Sequence, residues 1–184
     1  DWKRAGLGIL GSSVFGDKWA EMTMEERASG GIINHPTWKK WFKSLNFNLI
    51  DESYNANPGS MKSALETLTC IFTNKKSNYS HNRRIAVLGD MLELGSSEVI
   101  EHINISKFAK LSQIDKFFCV GPRMRRLYGV LPSSKQGFWT ETAEEMHNIL
   151  VNKIKNGDIV MIKGSFSMRM NTIVSKFKRL NNLE

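Results

Sequence analysis

From residue 45 onward, short apolar runs alternate with stretches of helical spacing, and this pattern limits the folds open to the chain. The apolar runs are FNLID at 47–51, RRIAVLGD at 83–90, KFFCVG at 116–121, GFW at 137–139 and DIVMIKGS at 158–165. After each run apolar residues recur three and four positions apart, as on one face of a helix. They are Met61, Ala64, Leu65, Leu68 and Phe72; then Val99, Ile100, Ile103 and Ala109; then Met124, Leu127 and Tyr128; then Met146, Ile149, Leu150 and Ile154; and last Met170, Ile173, Val174 and Phe177. The runs IAVLG and IVMIKG are apolar on both faces, as strands covered on both sides of a parallel sheet are. The expected fold is therefore α/β: an open, Rossmann-like, mostly parallel sheet with helices on both faces.

Boundary signals agree with that reading. Asn57 and Pro58 suit a cap and the first helical position. Ser96 or Ser97 and Thr142 suit two further helix starts. In open α/β sheets ligands bind beyond the carboxyl ends of the strands. The polar clusters lie at such ends: DESYNANP after the first run, GDMLELG after the second and KGS after the fifth. A helix N-terminus following a strand adds unpaired backbone N–H groups to that side.

Composition excludes several classes. Hydrophobic residues are 41% of the 184 and charged residues 24%, which suits a packed core rather than disorder. No run of about 18 apolar residues exists, so no membrane span is expected, and no secretory segment is seen, which points to the cytoplasm. Cys70 and Cys119 are far apart in apolar surroundings and read as buried free thiols, not as a disulfide or metal site. The net charge of +8 admits an anionic partner. The basic residues are scattered, with small groups at Lys39–Lys40, Lys75–Lys76, Arg83–Arg84 and Arg123–Arg126, and no aromatic RNA-binding motif accompanies them. A solvated basic surface is the preferred reading, and a stand-alone nucleotide- or nucleic-acid-binding module without chemistry is the alternative function.

The first 45 residues differ from the rest. Gly6, Gly8 and Gly11 have the spacing of a dinucleotide fingerprint, but no strand precedes them and no acid follows at the required distance. A glycine-dotted helix or loop is expected there, and Trp38, Trp41 and Phe42 read as a packing stripe. The chain starts with Asp1, which suggests a processed product or a piece of a longer protein.

DESYNANPGSM at 51–61, IAVLGDMLELG at 85–95 with His102 after it, and IVMIKGSFSMRM at 159–170 stand in one order. Together, over residues 47–180, they resemble the C-terminal domain of the Mur ligase family, and most of all the branch that joins D-alanyl-D-alanine to UDP-N-acetylmuramoyl-tripeptide in peptidoglycan synthesis. The resemblance implies ATP as cosubstrate and magnesium as cofactor. It also implies two partner domains, one for the UDP substrate and a central ATPase domain. The phosphate-cradling G-x-x-x-x-G-K-[ST] pattern is absent from the chain. Residues 1–45 are thus expected to be a tail of the central domain or a linker, and 46–184 the C-terminal domain, inactive alone.

The resemblance also suggests roles. Asp51 matches the family's ribose-binding acid, a carboxylate being able to accept from both ribose hydroxyls; a strand-end helix cap is the other reading. Tyr54 and Asn55 match the loop that borders the nucleotide, or else serve the turn. Lys163 and Ser165 match a motif able to hold a substrate carboxylate by charge-assisted bonds, the alternatives being a solvated lysine and a capping serine. Asn57 reads as a cap, Asp90 and Glu93 as parts of a structural loop, and His102 as a packed or hydrogen-bonded histidine. The family's arginine that reaches the ATP γ-phosphate has no counterpart within residues 30–47, where Lys39 and Lys40 lack the bidentate fork.

Overall fold

The computed structural model describes residues 47–71, 83–108 and 110–181. The chain divides into two compact units, Asn46–Phe177 and Asp1–Leu45 with Lys178–Glu184. The first holds five strands: β1 (Asn48–Glu52), β2 (Arg84–Gly89), β3 (Lys116–Val120), β4 (Gln136–Thr140) and β5 (Ile159–Lys163). Its helices are α1 (Pro58–Cys70), α2 (Glu98–Asn104), α3 (Met124–Val130), α4 (Ala143–Lys153) and α5 (Asn171–Asn181), the last of which runs on into the second unit.

The strands lie in the order β1-β5-β2-β3-β4, and every pairing among them is parallel. The α/β fold with an open parallel sheet is therefore present. β5 is inserted between β1 and β2. Its register joins them, with Asp51 opposite Ile162 and Leu88 opposite Lys163.

Side chains alternate between the two faces of a strand. Ala86, Leu88, Phe117, Cys119, Ile159 and Met161 point to one face and pack with Met61, Leu65 and Leu68 of α1 and Met124 and Leu127 of α3. The intervening Ile85, Val87, Phe118, Val120, Val160 and Ile162 are equally buried and belong to the opposite face. α4 and α5 meet each other there, through His147 and Phe177 with ring centroids 5.2 Å apart and through a 3.0 Å Lys176–Glu144 ion pair. Both faces are thus covered, which is why the central strands carry no alternating polar residues.

The caps follow from local chemistry. The Asn57 side chain accepts from the Ser60 N–H at 2.8 Å, and the Ser60 hydroxyl accepts from the Asn57 N–H at 3.0 Å, with Pro58 at the first helical position. Thr142 and Glu145 form the same reciprocal pair at α4. Asn57 is therefore a cap, as expected.

Three expectations need correction. Cys70 is exposed, while Cys119 is buried and its thiol is pushed far up by burial and by Asp90. Cys70 ends α1 away from the Met61–Leu68 stripe, so the apolar surroundings seen in sequence are not its neighbours in space. Val99 and Ile100 are half exposed, because α2 is short and turns His102 and the following Ile105 inward. Ser97 precedes α2 without a side-chain capping bond and donates to Leu94 O instead. Phe72, Ala109, the glycine spacing at Gly6–Gly11, the Trp38–Phe42 stripe and the arginine-free stretch before residue 47 lie outside the described residues. Among the described residues no helix is long and apolar enough to cross a membrane.

Candidate functional site at the carboxyl ends of the strands

α1 and α2 leave β1 and β2 toward one face, whereas α5 leaves β5 toward the other. The loops after these strands therefore diverge at β5, the kind of switch point where open α/β sheets hold ligands. A cavity of about 340 Å³ opens there, lined by Tyr54, Asn55, Leu92, Glu93, Ser165, Phe166 and Ser167. It draws on the loops after β1, β2 and β5, three of the segments singled out in the sequence.

Buried polar groups tie these loops together. The Ser165 hydroxyl accepts from the Leu92 N–H at 2.8 Å and donates to Ala56 O at 3.4 Å, and the Ser165 N–H donates to Asp90 O at 3.0 Å. One serine thus links all three loops, and it makes no side-chain capping bond to the turn that follows it. Lys163 is 3% exposed, so the solvated reading fails. Its ammonium donates to Asn55 O at 2.8 Å and lies 3.7 Å from Glu52. Burial lowers its pKa from the usual lysine range, and the Glu52 carboxylate partly offsets this.

The β2 loop is held from the other side. Asp90 is fully buried and accepts from the Met124 N–H at 2.7 Å and the Arg123 N–H at 3.2 Å, with the Arg123 guanidinium 3.5 Å away. A Cβ on Gly121 would lie 2.6 Å from that carboxylate, so the position takes glycine both for this approach and for its φ of 103°. Arg123 is held protonated chiefly by its hydrogen bond to Glu98. His102 is buried; its Nε2 accepts from the Met91 N–H at 2.9 Å, which puts the proton on Nδ1, 2.5 Å from Glu98 O. Asp90 and His102 are thus structural supports, as expected, and Glu93 stands apart from Asp90, exposed at a φ of 62°.

Of the residues expected at a site, Tyr54, Asn55 and Ser165 line the cavity together. Asp51 does not line it. It is exposed at the end of β1, where Oδ1 accepts from the Ser53 N–H at 3.2 Å and hydroxyl at 2.7 Å. It therefore shapes the turn, and Asn57 caps the helix. Lys163 lies beneath the site and reaches it through Asn55. Leu92, Glu93, Phe166 and Ser167 were not singled out as site residues by the sequence reading. The signal for Phe166 was present: a large aromatic directly after a strand-end KGS, on a loop rather than in a run.

Comparison with known proteins fits this geometry. Residues 41–166 match the model of the Mur ligase, glutamate ligase domain. The chain belongs to the Mur ligase family. It is 30% identical over 183 residues to a UDP-N-acetylmuramoyl-tripeptide–D-alanyl-D-alanine ligase of Mycobacterium leprae, covering 92% of this chain and 34% of that protein. The ligase of the same name from Buchnera aphidicola of Acyrthosiphon pisum is 30% identical over 149 residues, covering 78% and 30%. A crystal structure of MurF from Acinetobacter baumannii superposes with a TM-score of 0.55 at 26% identity, covering 69% of this chain and 26% of that one. The MurF ligase of Thermotoga maritima, solved in complex with ADP, shares the fold with a TM-score of 0.58 at 22% identity. The chain spans about a third or less of the length of the relatives it matches.

Among the described residues of this Mur ligase domain, several basic side chains are engaged internally. Arg83 pairs with Asp158, Arg84 donates to Ile71 O at 3.0 Å, and Arg125 lies 4.7 Å over Trp139. Nothing in this arrangement favours the nucleic-acid alternative.

Proposed function

We propose that the chain is the C-terminal nucleotide- and substrate-closing domain of an ATP-dependent ligase that adds D-alanyl-D-alanine to UDP-N-acetylmuramoyl-tripeptide. The observation that carries this reading is the convergence of Tyr54, Asn55 and Ser165 on one cavity at the switch point of a Mur ligase domain. In this reading the residues bind and close over ligands whose phosphates are activated elsewhere in the longer protein. Asp51, exposed on the same side of the sheet, accepts from the ribose hydroxyls of ATP. Tyr54 and Asn55 border the nucleotide. Ser165 turns its hydroxyl proton from the distant Ala56 O to donate to a substrate carboxylate, while Lys163 supplies positive charge from beneath the loop and fixes Asn55. Residues 1–45 belong to the preceding central domain or linker, and the setting is the cytoplasm.

ATP supplies a phosphoryl group that turns the peptide carboxylate into an acyl phosphate. Magnesium belongs with the central domain in this reading. Among the described residues no three acidic, histidine or cysteine side chains converge to hold a metal, so no step here runs through one.

The test is Asp51→Asn in the longer ligase. The amide keeps the Ser53 turn but loses the charge that strengthens bonds to hydroxyls. A charged hydrogen bond contributes roughly 1.5–3 kcal/mol, so the KM for ATP is expected to rise about ten- to a hundredfold with the fold intact. An unchanged KM removes Asp51 from the site and leaves it a turn residue.

A further inference from the structure

The exposed aromatics Tyr54 and Phe166, at 82% and 68%, line the cavity. A different feature lies at the opposite end of the sheet. Asn156 and Gly157 are the one Asn-Gly pair in the 184 residues, and they sit in the turn between α4 and β5. Gly157 has a φ of 85°, and the Asp158 N–H closes the turn on Lys155 O at 3.1 Å. A positive φ at the third residue of the turn, with none at Asn156, is the type II pattern, which calls for glycine there. Both residues of the pair are half-buried, so water reaches them.

An asparagine can close on the backbone nitrogen of the residue after it. The Gly157 N–H donates to no backbone carbonyl among the described residues. Glycine also has no Cβ to crowd that nitrogen or to oppose rotation of the peptide plane into the attacking geometry. Other asparagines of the domain are worse placed. Asn57 precedes a proline, which has no N–H, and Asn148 and Asn152 lie within α4. At Asn55 the following Ala56 N–H is already bonded to the Asn55 Oδ1 at 2.8 Å.

We infer that Asn156 is a site of spontaneous covalent modification, converting through a cyclic imide to aspartate and isoaspartate. Hydroxide takes the proton of the Gly157 amide, and the nitrogen attacks the Asn156 Cγ. The new C–N bond closes a five-membered ring, and Nδ2 takes up a proton and leaves as ammonia. Water then opens the ring. Opening at Cγ restores the main chain with an aspartate. Opening at the backbone carbonyl carbon leaves the chain running through the side chain, with one extra methylene in it. One water enters, one ammonia leaves, and water is the only co-reactant.

The place gives the modification its effect. Asp158 accepts from the Arg83 guanidinium at 2.9 and 2.6 Å and from the Lys155 N–H at 2.7 Å. Asp158 O accepts from the Asn48 N–H at 2.9 Å, and the Ile159 N–H donates to Arg83 O at 2.8 Å. One turn thus ties the amino ends of β1, β2 and β5 together. An extra methylene between residues 156 and 157 lengthens the turn and draws Asp158 off these partners. The aspartate product keeps the backbone and only adds a charge.

The experiment ages the 184-residue chain at mildly alkaline pH in water enriched in 18O. Asn156→Gln, whose longer side chain closes the ring more slowly, and Asn156→Asp run beside it, each checked for a native spectrum. Peptide mapping is expected to find the heavy oxygen at residue 156, with Asn148 and Asn152 intact, and an isoaspartyl methyltransferase to label the same peptide. The aged wild type should lose about 2–8 °C in Tm and exchange the amides of Asp158 and Ile159 faster. Asn156→Gln should keep both properties on ageing, and Asn156→Asp should match the fresh wild type. Residue 156 left unmodified, or modified no sooner than Asn148 and Asn152, overturns the site. Isoaspartate at 156 with unchanged Tm and exchange overturns its hold on the strands.

Discussion

The two ends of the sheet use polar groups differently. At the amino ends of the strands, charge is locked into short bonds with backbone and counter-charge. Arg83 makes a two-pronged contact with the fully buried Asp158 at 2.9 and 2.6 Å, and Asp158 also accepts from the Lys155 N–H at 2.7 Å. Asp115 accepts from the Arg84 N–H at 2.7 Å, and Lys135 donates to Ser112 O and Ile114 O. At the carboxyl ends the buried polar groups, Asp90, His102, Lys163 and Ser165, bind loops to one another, and those loops hold an open cavity with two exposed aromatics. The first end is a latch that closes strands. The second is a frame that keeps side chains presented to solvent.

If that contrast is right, substitutions at the latch cost stability, and substitutions on the rim of the frame cost binding. The largest effect is expected from Asp158→Ala. It leaves the Arg83 guanidinium, only a quarter exposed, without its partner and frees the Lys155 N–H. Removing one member of a buried pair typically costs 3–5 kcal/mol, and the partial exposure of Arg83 places the loss at about 3 kcal/mol in urea unfolding.

Acid sensitivity is expected from a third place, the α4–α5 contact. His147 is buried with neither ring nitrogen hydrogen-bonded. Burial, with Lys176 nearby, pushes its pKa down to about 4, against smaller opposing pulls from Asn148 and then Glu144. The unfolded chain takes up a proton near pH 6.5 and the folded chain does not, so the stability from this residue is complete above pH 6.5 and lost as pH falls toward 4. The loss reaches up to about 3 kcal/mol at the acid limit and is smaller at intermediate pH. His147→Phe should flatten that part of the stability–pH curve; an unchanged slope would show that other groups set it.

Ser165→Ala is expected to cost about 1–2 kcal/mol, because it leaves the Leu92 N–H without an acceptor. It should also loosen the β2 loop, seen as faster amide exchange at Leu92. Tyr54→Ala sits at the bottom of the scale. A side chain so exposed should change stability by less than about 0.5 kcal/mol, and any effect should appear in ligand binding instead.

The frame and the latch were unequally legible in the sequence. The central strands β2, β3 and β5 follow from apolar runs, because a strand covered on both faces leaves few positions for polar residues, while the more exposed edge strands β1 and β4 show only as shorter runs. The Asn57–Pro58–Ser60 start of α1 was legible because a cap is local chemistry. Ser165 joining Ala56 and Leu92 was not, since it depends on β5 being inserted between β1 and β2, which no periodicity encodes. For Lys163 a substrate-carboxylate role and a solvated amine both stood open, because only the loop folding over it buries the amine. Val99 and Ile100 read as core because apolar spacing marks a stripe but not whether the helix is long enough to seat it. Phe166 belongs to no helical stripe, so periodicity marked neither its place nor its exposure.

The central claim is that the carboxyl ends of β1, β2 and β5 form the nucleotide-facing side of this domain. The most direct measurement is the map of amide shifts when ADP is added to the 184-residue chain at physiological salt. The account predicts that the largest shifts fall on residues 51–55, 92–93 and 165–167, and that Arg83, Asp115 and Asp158 stay still. Shifts concentrated at Arg83, Asp115 and Asp158, or spread over Arg125 and Arg126 and abolished by salt, would contradict it.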